Sequence, residues 1–363
     1  MKNFIISTMR RRIHEASLSF QSSTGYWLGF WFALMAGLTC FSGAWADESP
    51  QQDTGVVSFE QEALEIDPSS FTESNLDWFD SERKRAVPAK LYLPAVKPSA
   101  GSLPLVVFSH GIGGSRDGYT YLGRYFAAHG VASLHVQHVG SDRQIWFGNP
   151  FDLTTRLNAA AQDAEALHRV QDLRYALDKV LATQEGALID PRKITAAGHS
   201  YGANTTMLIS GAHLDTPSRK ISLRDPRISA AILISAPPFY GYGDPGKILS
   251  NIDIPTLHIT ATEDVIQIPG YVSGLQDRIE IFKAMGRDRI VPKVLAVFKG
   301  GSHSIFTDRW ATGGLILNPK VKVATRQLAL AFLREVGAGK RGAIDSWRQR
   351  HTEIVSAFEK SVP

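Results

Sequence analysis

The chain has 363 residues, 44% of them hydrophobic and 20% charged, which is enough apolar mass for one large core. Of its formal charge of +4, a net +3 comes from Lys2, Arg10, Arg11, Arg12 and Glu15, and no basic stretch interleaved with aromatics points to nucleic acid as a partner. Cys40 is the single cysteine, so an intrachain disulfide framework is excluded.

Residues 1–46 read as a targeting segment. Arg10 to Arg12 form a positive region, Trp27 to Leu38 an apolar one, and Ala44-Trp45-Ala46 a small-x-small cleavage site. The expectation is a signal peptide cleaved after Ala46 and a periplasmic or secreted protein. The alternative is an uncleaved anchor, since residues 25–46 are uncharged and long enough to span a bilayer. In that case the membrane is met only through this segment. Residues 47–57 read as a flexible linker, 58–340 as the catalytic domain, and 341–363 as a C-terminal helix packing on it.

Along the domain, residues 56–94 should form the first strands. Leu105 to Phe108 reads as a buried strand, because the apolar run is continuous. It ends in Ser109-His110-Gly111-Ile112-Gly113-Gly114, a flexible turn in which His110 should bond the turn backbone. Residues 119–129 form a helix and 131–136 a strand. The loop 141–157 follows a strand end and carries Trp146, Phe147 and Phe151, which either line a substrate pocket, form a small lid or cover the domain edge. Leu167, Val170, Leu173, Leu177 and Leu181 recur at helical spacing.

The next strand, Lys193 to Ala197, runs into Gly198-His199-Ser200-Tyr201-Gly202 and then a helix-forming run from Ala203. A G-x-S-x-G between strand and helix is the pattern of a nucleophile elbow. The turn is so tight that the flanking glycines have no room for side chains, and Ser200 is left exposed for attack. The strand 229–234 ends in Ser235-Ala236-Pro237-Pro238, and Phe239-Tyr240-Gly241-Tyr242 is a second candidate pocket wall through Tyr240. The strand beginning at Ile254 ends in Glu263-Asp264, and Asp264 is the candidate acid, with Glu263 the alternative. Asp253 stands at the other end of that strand. The last strand, from Val294, ends in Gly300-Gly301-Ser302-His303, so His303 is the candidate general base. Residues 323–336 should form the final helix. Ile344, Trp347, His351, Ile354 and Phe358 continue at helical spacing in the tail. Strands alternating with helices imply the α/β class, with a mainly parallel central sheet covered by helices on both faces. No histidines stand at metal-ligand spacing, and neither a metal nor another cofactor is expected.

These phrases together resemble the serine esterases of the α/β-hydrolase superfamily. The closest likeness is to the dienelactone-hydrolase-like and platelet-activating-factor-acetylhydrolase-like branch, with cutinases as neighbours. It covers residues 76–337 and includes Arg85-Ala86-Val87-Pro88-Ala89-Lys90-Leu91-Tyr92-Leu93-Pro94. The resemblance implies a Ser200, Asp264, His303 triad. It also implies an oxyanion hole from the N–H groups of Ile112 and Tyr201, and a small-molecule or lipid ester as substrate. The chain departs from dienelactone hydrolases in having Ser200 where they use cysteine. It departs from the acetylhydrolases in having no carboxylate after Ser235, which suggests a cutinase-like acid on the following strand. Tyr201 also resembles the elbow of prolyl-oligopeptidase-type peptidases, although Ala203 replaces their second glycine. A peptidase and a catalytically inactive binding protein therefore remain as alternatives.

Overall fold

The computed structural model describes residues 65–361, except 217–218, 240, 269–270, 287–290 and 311. The expected signal peptide, residues 1–46, and the linker, residues 47–57, lie outside the described residues. So does Tyr240.

The strands in chain order are β1 (Phe71–Asp80), β2 (Arg85–Pro94), β3 (Leu103–Ser109), β4 (Ala132–Val136), β5 (Ile189–His199), β6 (His213–Thr216), β7 (Arg219–Ser222), β8 (Ile228–Ile234), β9 (Thr256–Glu263), β10 (Ile266–Ile268), β11 (Tyr271–Ser273), β12 (Lys293–Ser302) and β13 (Val355–Ser361). The helices are α1 (Thr120–Ala128), α2 (Leu153–Ala160), α3 (Asp163–Leu181), α4 (Tyr201–Ser210), α5 (Pro245–Leu249), α6 (Leu275–Ala284), α7 (Leu317–Ala338) and α8 (Ala343–Arg350).

Nine strands form one sheet in the order β1-β2-β4-β3-β5-β8-β9-β12-β13. The run from β4 to β12 is parallel, and β1, β2 and β13 are the antiparallel additions. The parallel strands read as continuous apolar runs because helices cover both faces. Alternate residues of one strand enter different cores. Leu105 and Val107 join one cluster with α3 and α4, and Val106 and Phe108 join another with α1 and α7. This is the α/β-hydrolase architecture, and it aligns the C-terminal ends of β3, β5, β9 and β12 along one edge. No helix of the described residues is long and apolar enough to cross a membrane.

Two segments differ from the sequence expectation. The tail is not helical throughout: α8 stops at Arg350, and β13 pairs antiparallel with β12, from Lys293 opposite Ser361 to Phe298 opposite Val355. Without β13, the outer edge of β12 would leave its N–H and C=O groups unpaired, and this pairing outweighs the local helical spacing. The spacing held only at Ile344 and Trp347, which are buried; Phe358 reaches the same core from the strand, its ring 6.0 Å from that of Trp347. The stretch 141–157 is also more ordered than a loop. It holds a 3-10 turn at Arg143–Trp146, another at Pro150–Asp152 and the start of α2. The side chains of Asp142 and Asn149 cap the two turns.

Candidate active site

Ser200 stands between β5 and α4 with φ 57° and ψ −124°, a conformation non-glycine residues rarely adopt. Such strain costs on the order of 1–3 kcal/mol and persists only where the surroundings impose it. Here they do. The Ser200 N–H donates to the Ile234 carbonyl at 2.9 Å. A Cβ on Gly198 would strike the carbonyl of Gly202, and one on Gly202 would strike the carbonyl of Ser109. Both motif glycines are therefore sterically required, the second because the elbow packs against the end of β3.

The turn after β3 lies directly over the elbow. A Cβ on Gly111 would come within 3.3 Å of both Ser200 Cβ and His199 Nδ1. The turn is pinned by its own backbone: the Gly113 N–H donates to the Ser141 carbonyl at 2.8 Å, and the Gly114 N–H to the Gly111 carbonyl at 3.0 Å. His110 bonds this backbone, with Nδ1 on the Gly111 carbonyl at 2.6 Å and Nε2 accepting from the His138 N–H at 3.1 Å. Among the described residues, the N–H groups of Ile112 and Tyr201 donate to no protein acceptor. Tyr201 opens α4, where free N–H groups and the helix dipole favour negative charge.

Asp264 follows β9 and is fully buried. Its Oδ1 accepts from His303 Nδ1 at 2.7 Å, and its Oδ2 accepts from Thr260 Oγ1 at 2.7 Å. Burial opposes its charge, yet the hydrogen bond and charge of His303, with Arg278 and Thr260, hold its carboxyl well below the usual range. A carboxylate only accepts, so Nδ1 of His303 carries the proton and Nε2 is left with a free lone pair. Glu263 is exposed to solvent instead. Asp253 precedes β9 and pairs with Arg224 at 2.7 Å.

His199 links these parts, and no sequence signal marks it beyond its place in the motif. Its ring lies 4.7 Å from that of His303, and its Nε2 bonds the His303 carbonyl at 3.0 Å. Because a carbonyl only accepts, Nε2 is protonated, and Nδ1 accepts from the Tyr119 hydroxyl at 2.8 Å. Tyr119 Oη in turn accepts from the Gly111 N–H at 3.4 Å. Burial, and then the neighbouring His303, push the His199 pKa down to about 3, so this bridge is neutral. Tyr119 holds φ 60°, a strained value for a bulky residue, at the start of α1. The Ser200 hydroxyl itself makes no hydrogen bond among the described residues.

The expected pocket residues Trp146, Phe147 and Phe151 all carry exposed surface. Trp146 is 48% exposed, lies over Gly113 and donates from Nε1 to the Gly113 carbonyl at 2.8 Å. Phe147 and Phe151 are 65% and 92% exposed, so Phe151 stands almost wholly in solvent.

Residues 85–145, from β2 through the turn after β3 and past β4, match the family model described as platelet-activating factor acetylhydrolase, isoform II. No curated protein matches the chain. The matched segment holds the turn that lies against Ser200, and the parallel sheet supplies the rest of the frame. The fold is that of the α/β-hydrolases, and the match over this segment supports a lipase/esterase-type hydrolase similar to the platelet-activating factor acetylhydrolases.

Proposed function

We propose that the chain is an exported serine esterase that cleaves carboxylic esters, of small molecules or of lipids, through an acyl-enzyme intermediate. The observation that carries this reading is the 2.7 Å bond from His303 to buried Asp264, together with a serine held in a strained elbow whose neighbour His199 bonds the His303 carbonyl. In this mechanism Ser200 Oγ attacks the ester carbonyl while His303 Nε2 takes its proton. Asp264 keeps the imidazole in the required tautomer and stabilises its protonated form. The N–H groups of Ile112 and Tyr201 receive the oxyanion, each worth about 3 kcal/mol in the transition state. His303 then returns the proton to the leaving alcohol, and a water molecule, activated in the same way, releases the acyl group. Side chains, backbone and water suffice for each step. Export rests on residues 1–46, whose charge, apolar run and Ala44-Trp45-Ala46 ending favour a cleaved leader.

Hydrolysis of short-chain nitrophenyl esters tests the reading. Asp264→Asn should lower kcat by about 10⁴, as expected for loss of the tautomer-fixing carboxylate. Asp253→Asn and Glu263→Gln should leave it within about a factor of two, since Asp253 pairs with Arg224 at the other end of β9 and Glu263 is exposed. The reverse ranking would overturn the assignment of the acid. A wild type that cleaves short peptides but not these esters would replace the esterase reading with the peptidase one.

A further inference from the structure

Arg169 projects from α3 and is fully buried. Its guanidinium makes four hydrogen bonds. Nε donates to Thr205 Oγ1 at 2.9 Å and Nη1 to Ser141 Oγ at 2.7 Å. Nη2 donates to Ser109 Oγ at 3.0 Å and also to the His110 carbonyl. The group also lies 4.4 Å from the centre of the Tyr201 ring. Burial draws its pKa down to about 10, so it is still a cation at neutral pH.

Its polar partners are themselves fixed. Ser141 Oγ donates on to Glu165 at 2.7 Å. Ser109 Oγ bonds His138 Nε2 at 2.9 Å, and His138 Nδ1 bonds Asp172 at 3.1 Å. Ser109, His138 and Asp172 thus repeat the connectivity of serine, histidine and carboxylate a second time. All three are fully buried, so no substrate can reach them. What the chain does is orient Ser109: its proton goes to His138, and its lone pair faces Arg169.

Two separate pieces of backbone meet at this guanidinium. One is the end of β3, through Ser109 and His110. The other is the elbow helix, through Thr205 and the Tyr201 ring. Thr205 passes the contact on, since its hydroxyl donates to the Tyr201 carbonyl at 3.1 Å. The two candidate oxyanion donors divide in the same way, Ile112 following the strand and Tyr201 opening the helix. Donors on separate pieces stabilise an oxyanion only when their spacing is set beforehand. Lysine could keep the charge but not the planar fork that binds both sides.

We propose that Arg169 is a positioning residue that holds the Ile112 and Tyr201 N–H groups at the spacing an oxyanion requires. The proposal rests on the reading of Ser200 as nucleophile. The test uses the whole protein with Arg169→Lys, Arg169→Met and Thr205→Val. Active sites are counted by the end-point stoichiometry of a fluorophosphonate label. For each variant, kcat and KM on a nitrophenyl ester, the inhibition constant of an alkyl boronic acid and the melting temperature are measured. For Arg169→Lys, kcat per labelled site should fall about 10- to 100-fold while KM moves less than about threefold. The boronic acid, which mimics the tetrahedral state, should weaken by about the same factor as kcat/KM. Thr205→Val removes one link and should show the same pattern at about 3- to 10-fold; it decides the matter if the Arg169 variants do not fold. Melting temperatures that drop while kcat per site and boronic acid affinity stay at wild-type values would overturn the proposal alone. A wild type that takes no label would overturn the nucleophile reading and this proposal with it.

Discussion

Arg278 Nη2 lies 3.5 Å from Asp264 Oδ1, and both side chains are buried. The same oxygen accepts the hydrogen bond of His303. A guanidinium and an imidazole N–H thus draw on one carboxylate oxygen, while the neighbouring His199 is neutral. Arg278 also holds Ser273 Oγ at 2.6 Å, which fixes the guanidinium on α6.

Replacing Arg278 by methionine removes one of the charges that hold the Asp264 carboxyl low and leaves the buried carboxylate with fewer partners. On the reading of Asp264 as the acid, kcat/KM on a nitrophenyl ester should fall by about 3- to 10-fold. A folded variant at wild-type activity would mean that Arg278 has no electrostatic hold on the site.

A second prediction concerns the pH dependence of stability. His135, His138, His199 and His258 are all fully buried, and burial pushes their pKa values down to about 4, 3, 3 and 3. The unfolded chain takes up these protons near the ordinary value of about 6.5. Below that pH the unfolded state therefore binds more protons than the folded one. Stability should be complete above about pH 6.5 and fall as the pH drops toward 4, by about 1.4 kcal/mol per pH unit for each histidine still neutral in the fold. Urea melts between pH 7 and pH 4.5 measure the slope. His258→Gln, at a ring that bonds Thr256 outside the site, should make it shallower. A midpoint that is flat between pH 7 and pH 5 would contradict the account.

The C-terminal strand yields a third prediction. Deleting residues 355–361 would uncover the β12 edge from Lys293 to Phe298. The shortened protein should melt at a lower temperature and self-associate on size-exclusion chromatography, since an open edge is a template for another chain. An equally stable, equally monodisperse protein would mean that the edge pairing contributes little.

The phrases of the candidate site were legible because each is local. A glycine two residues either side of Ser200, a glycine turn after Phe108 and a histidine after Gly300-Gly301 all carry their geometry within a few residues. The acid was legible only as one of two neighbours, because Glu263 ends the buried strand and Asp264 follows it. Glu263 faces solvent, and neighbouring residues at a strand end differ in which way they turn. What escaped the sequence was assembled over long distances. Arg169 meets Ser109 across 60 residues, and His199 meets Tyr119 across 80. No spacing rule marks such pairs, because the sheet order brings them together. The tail misled for the same reason: the helical spacing of Ile344 and Trp347 is local, whereas the pairing of Val355–Ser361 with β12 spans about sixty residues. The aromatic residues of 141–157 were placed near the site by their strand end alone; Trp146 bonds the turn beside Ser200, and Phe147 and Phe151 are largely exposed.

The central claim is that Ser200 is an activated nucleophile. Its most direct test is intact-mass analysis after exposure to a fluorophosphonate, with peptide mapping of the adduct. The account predicts one adduct per wild-type molecule, on Ser200, and none on a folded Ser200→Ala variant. A folded wild type that stays unmodified, or a Ser200→Ala variant modified to the same extent, would contradict it.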